Sequence, residues 1–323
     1  MRIDTIAKFL SLSEPQQSDI LRGVKESHEK LLEAFLIRDG EIKEAHYVKC
    51  KHCDGKGEIF LEPRNNDDIH ASQIHNCPRK LWFDLKKYGN IHRQSVSADL
   101  QMIFDHGKAL HDMIQTYGKK GAWKNGPDTT YEPEFQLLPN EIECAEKGIP
   151  FLPLVKQYKV RSSIDAVIRN YRVDNVRDIG TVYIDLIQEI KSISASGLAY
   201  LDNPKAVHKK QGTLYQGLTD IPICIYIYYG KDDKRKFYPA RFDGHIWGEL
   251  EDKINEILFM EDQEDPNLAF PIEKTAWTYD QEECIGGKYT SACQYYGKVC
   301  FPGANKEVVP VEEVKKRGRP KKI

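Results

Sequence analysis

Glu189 and Lys191 stand two residues apart in an alternating segment, which puts a carboxylate and an ammonium on one face of a strand and turns Ile190 the other way. Asp165, in the run Ser163-Ile164-Asp165-Ala166-Val167, sits among apolar neighbours on an earlier strand, where a carboxylate without a partner is costly to desolvate. A divalent cation would satisfy both acids, and hard oxygen donors suit Mg²⁺ or Mn²⁺. The chemistry open to such a set is phosphodiester hydrolysis. The cation activates water and neutralises the phosphate, while the ammonium orients the water and takes up charge developing on phosphorus. His111 lies upstream, four residues after Gly107, and Gln211 and Tyr215 follow, one helical turn apart. Singly these are weak signals. A lone Glu-x-Lys is an ordinary surface ion pair, a helical histidine is usually structural, and Gln-x-x-x-Tyr recurs by chance.

The elements that must position these residues follow from periodicity. Residues 1–40 read as helical, with Ile20, Val24, Leu31 and Phe35 at helical spacing after the start signal Ser13-Glu14-Pro15 and Gly40 as the stop. One helix opens near Cys77-Pro78-Arg79 and runs through Leu81, Trp82 and Leu85. A longer one spans about 97–117, with Leu100, Ile103, Phe104, Leu110 and Ile114 on its apolar face. After Gly126-Pro127 the pattern alternates, predicting strands over 130–138, 159–171 and 181–193, a helix over 203–220, strands over 223–229 and 236–242, and a helix over 243–261. That order predicts an α/β fold, a mixed central sheet flanked by helices, with a helical N-terminal part and a cysteine-bearing C-terminal segment. The expected divisions are 1–40 helical, 41–68 a zinc-knuckle insertion, 69–302 the main domain, and 303–323 a disordered basic tail.

Composition excludes several classes. The chain has 323 residues, 30% of them charged, a formal net charge of −2 and a mean hydropathy of −0.58, as expected for a soluble protein with room for a buried core. The first residues, Met1 to Lys8, lack an apolar signal region, and the longest apolar stretch, 221–229, is too short to span a bilayer. An intracellular, cytoplasmic location is expected, nucleoid-associated if the source is bacterial or phage. In a reducing compartment the eight cysteines read as metal ligands or small core residues.

Taken together, Gly107-x-x-x-His111, Asp165, Glu189-x-Lys191 and Gln211-x-x-x-Tyr215 stand in the order found in the RecB-like branch of the PD-(D/E)XK nuclease superfamily. The chain resembles in particular its CRISPR-associated and AddB-type iron-sulfur exonucleases, over about residues 69–301. The resemblance implies a restriction-endonuclease-like core and a metal-dependent DNA exonuclease acting on single strands or duplex ends, in recombination, repair or phage-type DNA processing. It assigns His111, Asp165, Glu189 and the Ile190 carbonyl to the metal and makes Lys191 the catalytic lysine. Gln211 and Tyr215 would contact DNA or brace the site. Ser163 replaces a glycine frequent in the family. Two other readings stay open: a structure-specific endonuclease, and a noncatalytic DNA-binding module. Glu134 is a further nearby carboxylate and reads as a solvated strand residue.

In the related nucleases one cysteine before the core and three after it hold a 4Fe-4S cluster, here Cys77 with Cys284, Cys293 and Cys300. The last three are separated by eight and six residues, wider than the family usually shows, and a Cys₄ zinc site is the rival. Cys50 and Cys53 supply half a Zn²⁺ site, which His46, His52, His70 or His75 would complete, or else are two free thiols in a turn. Cys224 reads as a core residue. The tail, Lys315 to Lys322, places six cations in eight residues around Arg317-Gly318-Arg319-Pro320, the core of an AT-hook. Glycine lets the backbone follow a narrow A·T minor groove, whose negative potential attracts both arginines.

Overall fold

A computed structural model of the chain describes residues 1–38, 58–59, 67–86, 96–121, 125–230 and 234–269. In chain order the elements are β1 (Arg2–Ile3), α1 (Ile6–Leu10), α2 (Glu14–Arg38), β2 (Glu58–Ile59), α3 (Pro78–Lys86), β3 (Val96–Ser97), α4 (Ala98–Lys119), β4 (Thr130–Leu137), α5 (Glu141–Lys147) and α6 (Pro153–Gln157). There follow β5 (Ser162–Val176), β6 (Gly180–Ile193), α7 (Ala195–Ala199), α8 (Ala206–Thr219), β7 (Ile223–Gly230), β8 (Arg235–Arg241), α9 (Gly244–Phe259) and α10 (Pro266–Ala269).

The result is the expected mixed α/β fold. Its central sheet runs β4-β5-β6-β7-β8, antiparallel except for the parallel pair β6–β7, whose crossover is built by α7 and α8. Alternation sorts the strands' side chains to two cores. On one face Ile20 and Val24 of α2 and Leu110 and Ile114 of α4 pack on Ile168, Ile190, Ile225 and Ile227. On the other, Trp82 of α3, Leu214 of α8 and Ile254 of α9 pack on Val167, Ile187, Cys224 and Tyr226. β7 is buried on both faces, which is why its sequence is a continuous apolar run.

The N-terminal segment differs from its all-helical reading. Arg2–Ile3 forms a strand parallel to β6 at Tyr183 and Ile184, filling the edge of β6 ahead of the point where β7 begins. Two residues are too few to show a period. α2 is as read, although Gly40 lies outside the described residues. The helices α5 and α6 are too short to show a period: Asn140 caps α5 and Gly148 closes it at φ +64°, while α6 opens on Pro153 without a side-chain cap.

Candidate active site

The site sits where the sheet splits. The β5–β6 ladder ends at Ala166↔Gln188. Beyond it Ser162 to Ile164 pair only with β4, and Glu189 to Ile193 only with β7. Parting strands leave backbone groups without ladder partners, and side chains take them up. Asp165 Oδ2 accepts the Ile190 N–H at 2.5 Å, and Tyr215 donates its hydroxyl to the Ser163 carbonyl at 3.1 Å.

Helices reach the split from both faces of the sheet. From α4, His111 Nδ1 lies 3.2 Å from Asp165 Oδ1, and one turn later Gln115 Nε2 donates to the Asp165 carbonyl at 3.0 Å. Gly107, on the same face of α4, comes close to β6: a Cβ there would stand 3.4 Å from Ser192 Oγ. From α8, Gln211 Oε1 accepts from Lys191 Nζ at 3.3 Å while Gln211 Nε2 donates to the Tyr215 hydroxyl at 2.9 Å. Lys191, Gln211, Tyr215 and Ser163 thus form one hydrogen-bonded chain joining the β6 arm to the β5 arm. Tyr215 is 1% exposed, its hydroxyl engaged by Gln211 and the Ser163 carbonyl.

The electrostatics follow from burial. Lys191 Nζ contacts Glu189 Oε1 directly. Burial, and then the charge of Asp165, push Glu189 up to about 7 against the opposing pull of Lys191. Burial works against the Lys191 ammonium, yet Glu189 and Asp165 raise its pKa above the usual lysine value, so it stays charged at neutral pH. Burial, the largest single influence, likewise opposes a charge on His111, but the hydrogen bond and charge of Asp165, with the charge of Glu189, together raise that pKa.

The side chains meet in pairs, His111 with Asp165 and Lys191 with Glu189; among the described residues no three His, Cys, Asp or Glu side chains form a ready-made ligand group. One oxygen, Glu189 Oε2, is buried without a hydrogen-bond partner. An orphaned carboxylate oxygen beside a second carboxylate fits a hard divalent cation in donor type.

Two residues join the site that the motif did not assign. Glu134 is exposed on β4, as expected of a solvated strand carboxylate, and also accepts from Gln115 Nε2 at 2.5 Å and from Ser163 Oγ at 2.9 Å. Its φ is +50°, a left-handed conformation that costs a non-glycine residue on the order of 1 kcal/mol, and the β4–β5 ladder skips Glu134 and Asp165 there. Gln115 was detectable in principle, four residues after His111 on the same helical face.

Of the cysteines assigned to a cluster, only Cys77 lies within the described residues. It precedes α3, and its Sγ accepts the Lys80 N–H at 3.3 Å. Cys284, Cys293, Cys300, Cys50, Cys53 and the tail residues Arg317, Gly318, Arg319 and Pro320 fall outside them. Cys224 is fully buried, as read, and Cys144 is a core residue of α5 whose thiol is raised by burial.

No protein-family model and no curated protein matches the chain. Among solved structures it is similar to that of SSO0001, with 17% identity and a TM-score of 0.35 over 73% of this chain and 87% of that one. It is also similar to an alkaline exonuclease, LHK-Exo, from Laribacter hongkongensis, with 12% identity and a TM-score of 0.36 over 65% of this chain and 93% of that one. The complex of LHK-Exo with dAMP gives 12% identity and a TM-score of 0.36 over 66% and 95%.

Proposed function

We propose that this chain is a Mg²⁺- or Mn²⁺-dependent deoxyribonuclease of PD-(D/E)XK type, acting as an exonuclease on single strands or duplex ends. The observation that carries the reading is the split between β5 and β6, which holds Asp165, Glu189 and a charged Lys191 together with one carboxylate oxygen unspent. A pure DNA-binding module has no need of that arrangement. Asp165, Glu189, the Ile190 carbonyl and His111 would hold the cation, which when bound supplies a Lewis acid and a more acidic water. Lys191 orients the attacking water and stabilises charge on phosphorus. Gln211 fixes the ammonium, and Tyr215 holds the β5 arm on which Asp165 stands. His111 and the Ile190 N–H set the Asp165 carboxylate.

Chelated protein is expected to leave end-labelled DNA intact and to degrade it stepwise once Mg²⁺ or Mn²⁺ is restored. Digestion of closed circular single-stranded DNA at the same rate would replace the exonuclease by an endonuclease, and inertness toward every DNA would sink the nuclease reading. Product ladders from 5′- and 3′-labelled strands then give polarity.

Two accessory features belong to the same proposal. Cys77, Cys284, Cys293 and Cys300 hold a 4Fe-4S cluster that ties distant chain segments together. Anaerobically prepared protein should then be brown and contain about four irons, whereas colourless, active, zinc-containing protein would overturn this. Arg317 to Pro320 tether the enzyme to A·T-rich duplex. Deleting residues 315–323 should weaken duplex binding, most at low salt and on A·T-rich sequence, and leave turnover of short single strands unchanged. Equal affinity of the intact chain for A·T- and G·C-rich duplexes would reduce the tail to a nonspecific basic segment.

A further inference from the structure

One exposed aromatic residue stands beside this site on a backbone that is held fixed. Tyr200 is 88% exposed, yet the residues on either side of it are anchored: Leu198 and Leu201 are buried, Lys236 Nζ donates to the Ala199 carbonyl at 3.4 Å and to the Leu201 carbonyl at 2.7 Å, and Tyr238 also donates to Leu201. The segment leading to it is capped as well, Ser194 Oγ accepting from the Gly197 N–H at 3.1 Å. A large ring left in water by a pinned backbone is a surface that can stack on a flat ligand with only its own side-chain rotamers left to order.

The sheet register places that surface relative to Lys191. Lys191, Tyr228 and Lys236 are successive cross-strand partners on β6, β7 and β8, and so point to one face. Lys236 pins the Tyr200 turn. Tyr228, between them, accepts from the Lys205 N–H at 3.0 Å and bonds His208 Nδ1 at 2.7 Å. Lys236, whose ammonium holds the Tyr200 turn, therefore stands two strand spacings from Lys191, roughly 10 Å from backbone to backbone. Lys205 follows Tyr200 by five residues and is exposed. Positive charge collects along this edge: after the larger effect of burial, Lys191 and Lys205 both hold down the pKa of His208.

The geometry points to a subsite for unpaired DNA, in which Tyr200 stacks on a nucleobase and Lys205 meets a backbone phosphate of the strand leading to Lys191. A free ring face accepts a base of any sequence, but only a base not already stacked within a duplex. The inference deepens the nuclease reading and rests on it for the direction of the strand, while its own readout is binding.

The test measures binding of fluorescein-labelled oligothymidylate and of a blunt hairpin duplex to the full chain, in chelator so that hydrolysis does not intervene. Tyr200→Ala should weaken oligothymidylate binding about 5- to 150-fold and leave hairpin binding unchanged, and Tyr200→Phe should restore it. Lys205→Gln should lower the salt slope of single-strand binding by about 0.7. Because Tyr200 is exposed, its replacement leaves the fold intact. Wild-type binding by Tyr200→Ala, an equal loss on the hairpin, or no single-strand binding by the wild type would each overturn the inference. The two readings fail separately: a protein that binds through Tyr200 but never hydrolyses DNA sinks only the nuclease, and a nuclease indifferent to Tyr200 sinks only the subsite.

Discussion

Lys191→Ala is expected to lower kcat/KM for DNA hydrolysis by about 10²- to 10⁴-fold while the protein stays folded. The loss in rate follows from position: the ammonium is held charged between Glu189 and the Gln211 amide, so it is already aimed when substrate arrives and pays no reorganisation. Survival of the fold follows from Glu189. Removing one partner of a buried ion pair usually costs about 3–5 kcal/mol because a bare charge stays behind. Here the carboxyl, already at about 7 with Lys191 present, takes up a proton once the ammonium is gone. Neutralisation caps the penalty. The variant should therefore show near-wild-type urea unfolding at pH 6 and a larger deficit at pH 8, where keeping Glu189 neutral costs more. Equal DNA digestion by variant and wild type, at matched cation concentration, would remove Lys191 from the chemistry and overturn the active site assigned around it.

The residues of this site were legible because strand and helix periods are local. Glu189 and Lys191 share a face with Ile190 between them in the core, and Gln211 and Tyr215 share a helical turn, whatever the rest of the chain does. What was not legible is the split between β5 and β6, since pairing is a relation between strands far apart in sequence. No pattern within 162–193 says that the ladder stops at Ala166↔Gln188, yet that stop is what frees the Ile190 N–H for Asp165. Strand limits blurred for a similar reason. The strand expected over 159–171 starts at Ser162, after Lys159 at φ +47°. It then runs on to Val176 across an irregularity where Asn170, at φ +54°, gives its N–H to Asp185. The helix expected from 203 starts at Ala206, its Lys205 N–H held by Tyr228 from the sheet below. In each case a contact made across the fold overrode the local propensity.

Against the opposite contribution of Glu189, whose raised pKa favours the fold as pH falls, acidification should cost stability at His28. It lies fully buried on α2, stacked on Tyr171 with ring centroids 4.8 Å apart, and its Nδ1 bonds the Val24 carbonyl at 3.1 Å, which requires the proton on that nitrogen. Burial pushes its pKa from 6.5 down to about 3, outweighing the Val24 hydrogen bond, which favours the charged form. Between those values the unfolded chain binds a proton that the folded one refuses. The stability His28 secures by staying neutral is complete above pH 6.5 and is lost as pH falls toward 3, a swing on the order of 5 kcal/mol. That is comparable to the whole stability of an ordinary domain. Carboxylates with lowered pKa, such as Asp4 and Asp174, also lose stabilising contacts in acid, so the diagnostic quantity is a difference between variants. His28→Phe keeps the stacked ring and removes the titration. At pH 8 it should be less stable than wild type by about 1 kcal/mol, for the lost hydrogen bond; at pH 4.5 it should be more stable by about 2 kcal/mol. Urea unfolding across this range should therefore show the two stability curves crossing between pH 5 and 6.5, and curves that stay parallel would exclude a buried neutral His28.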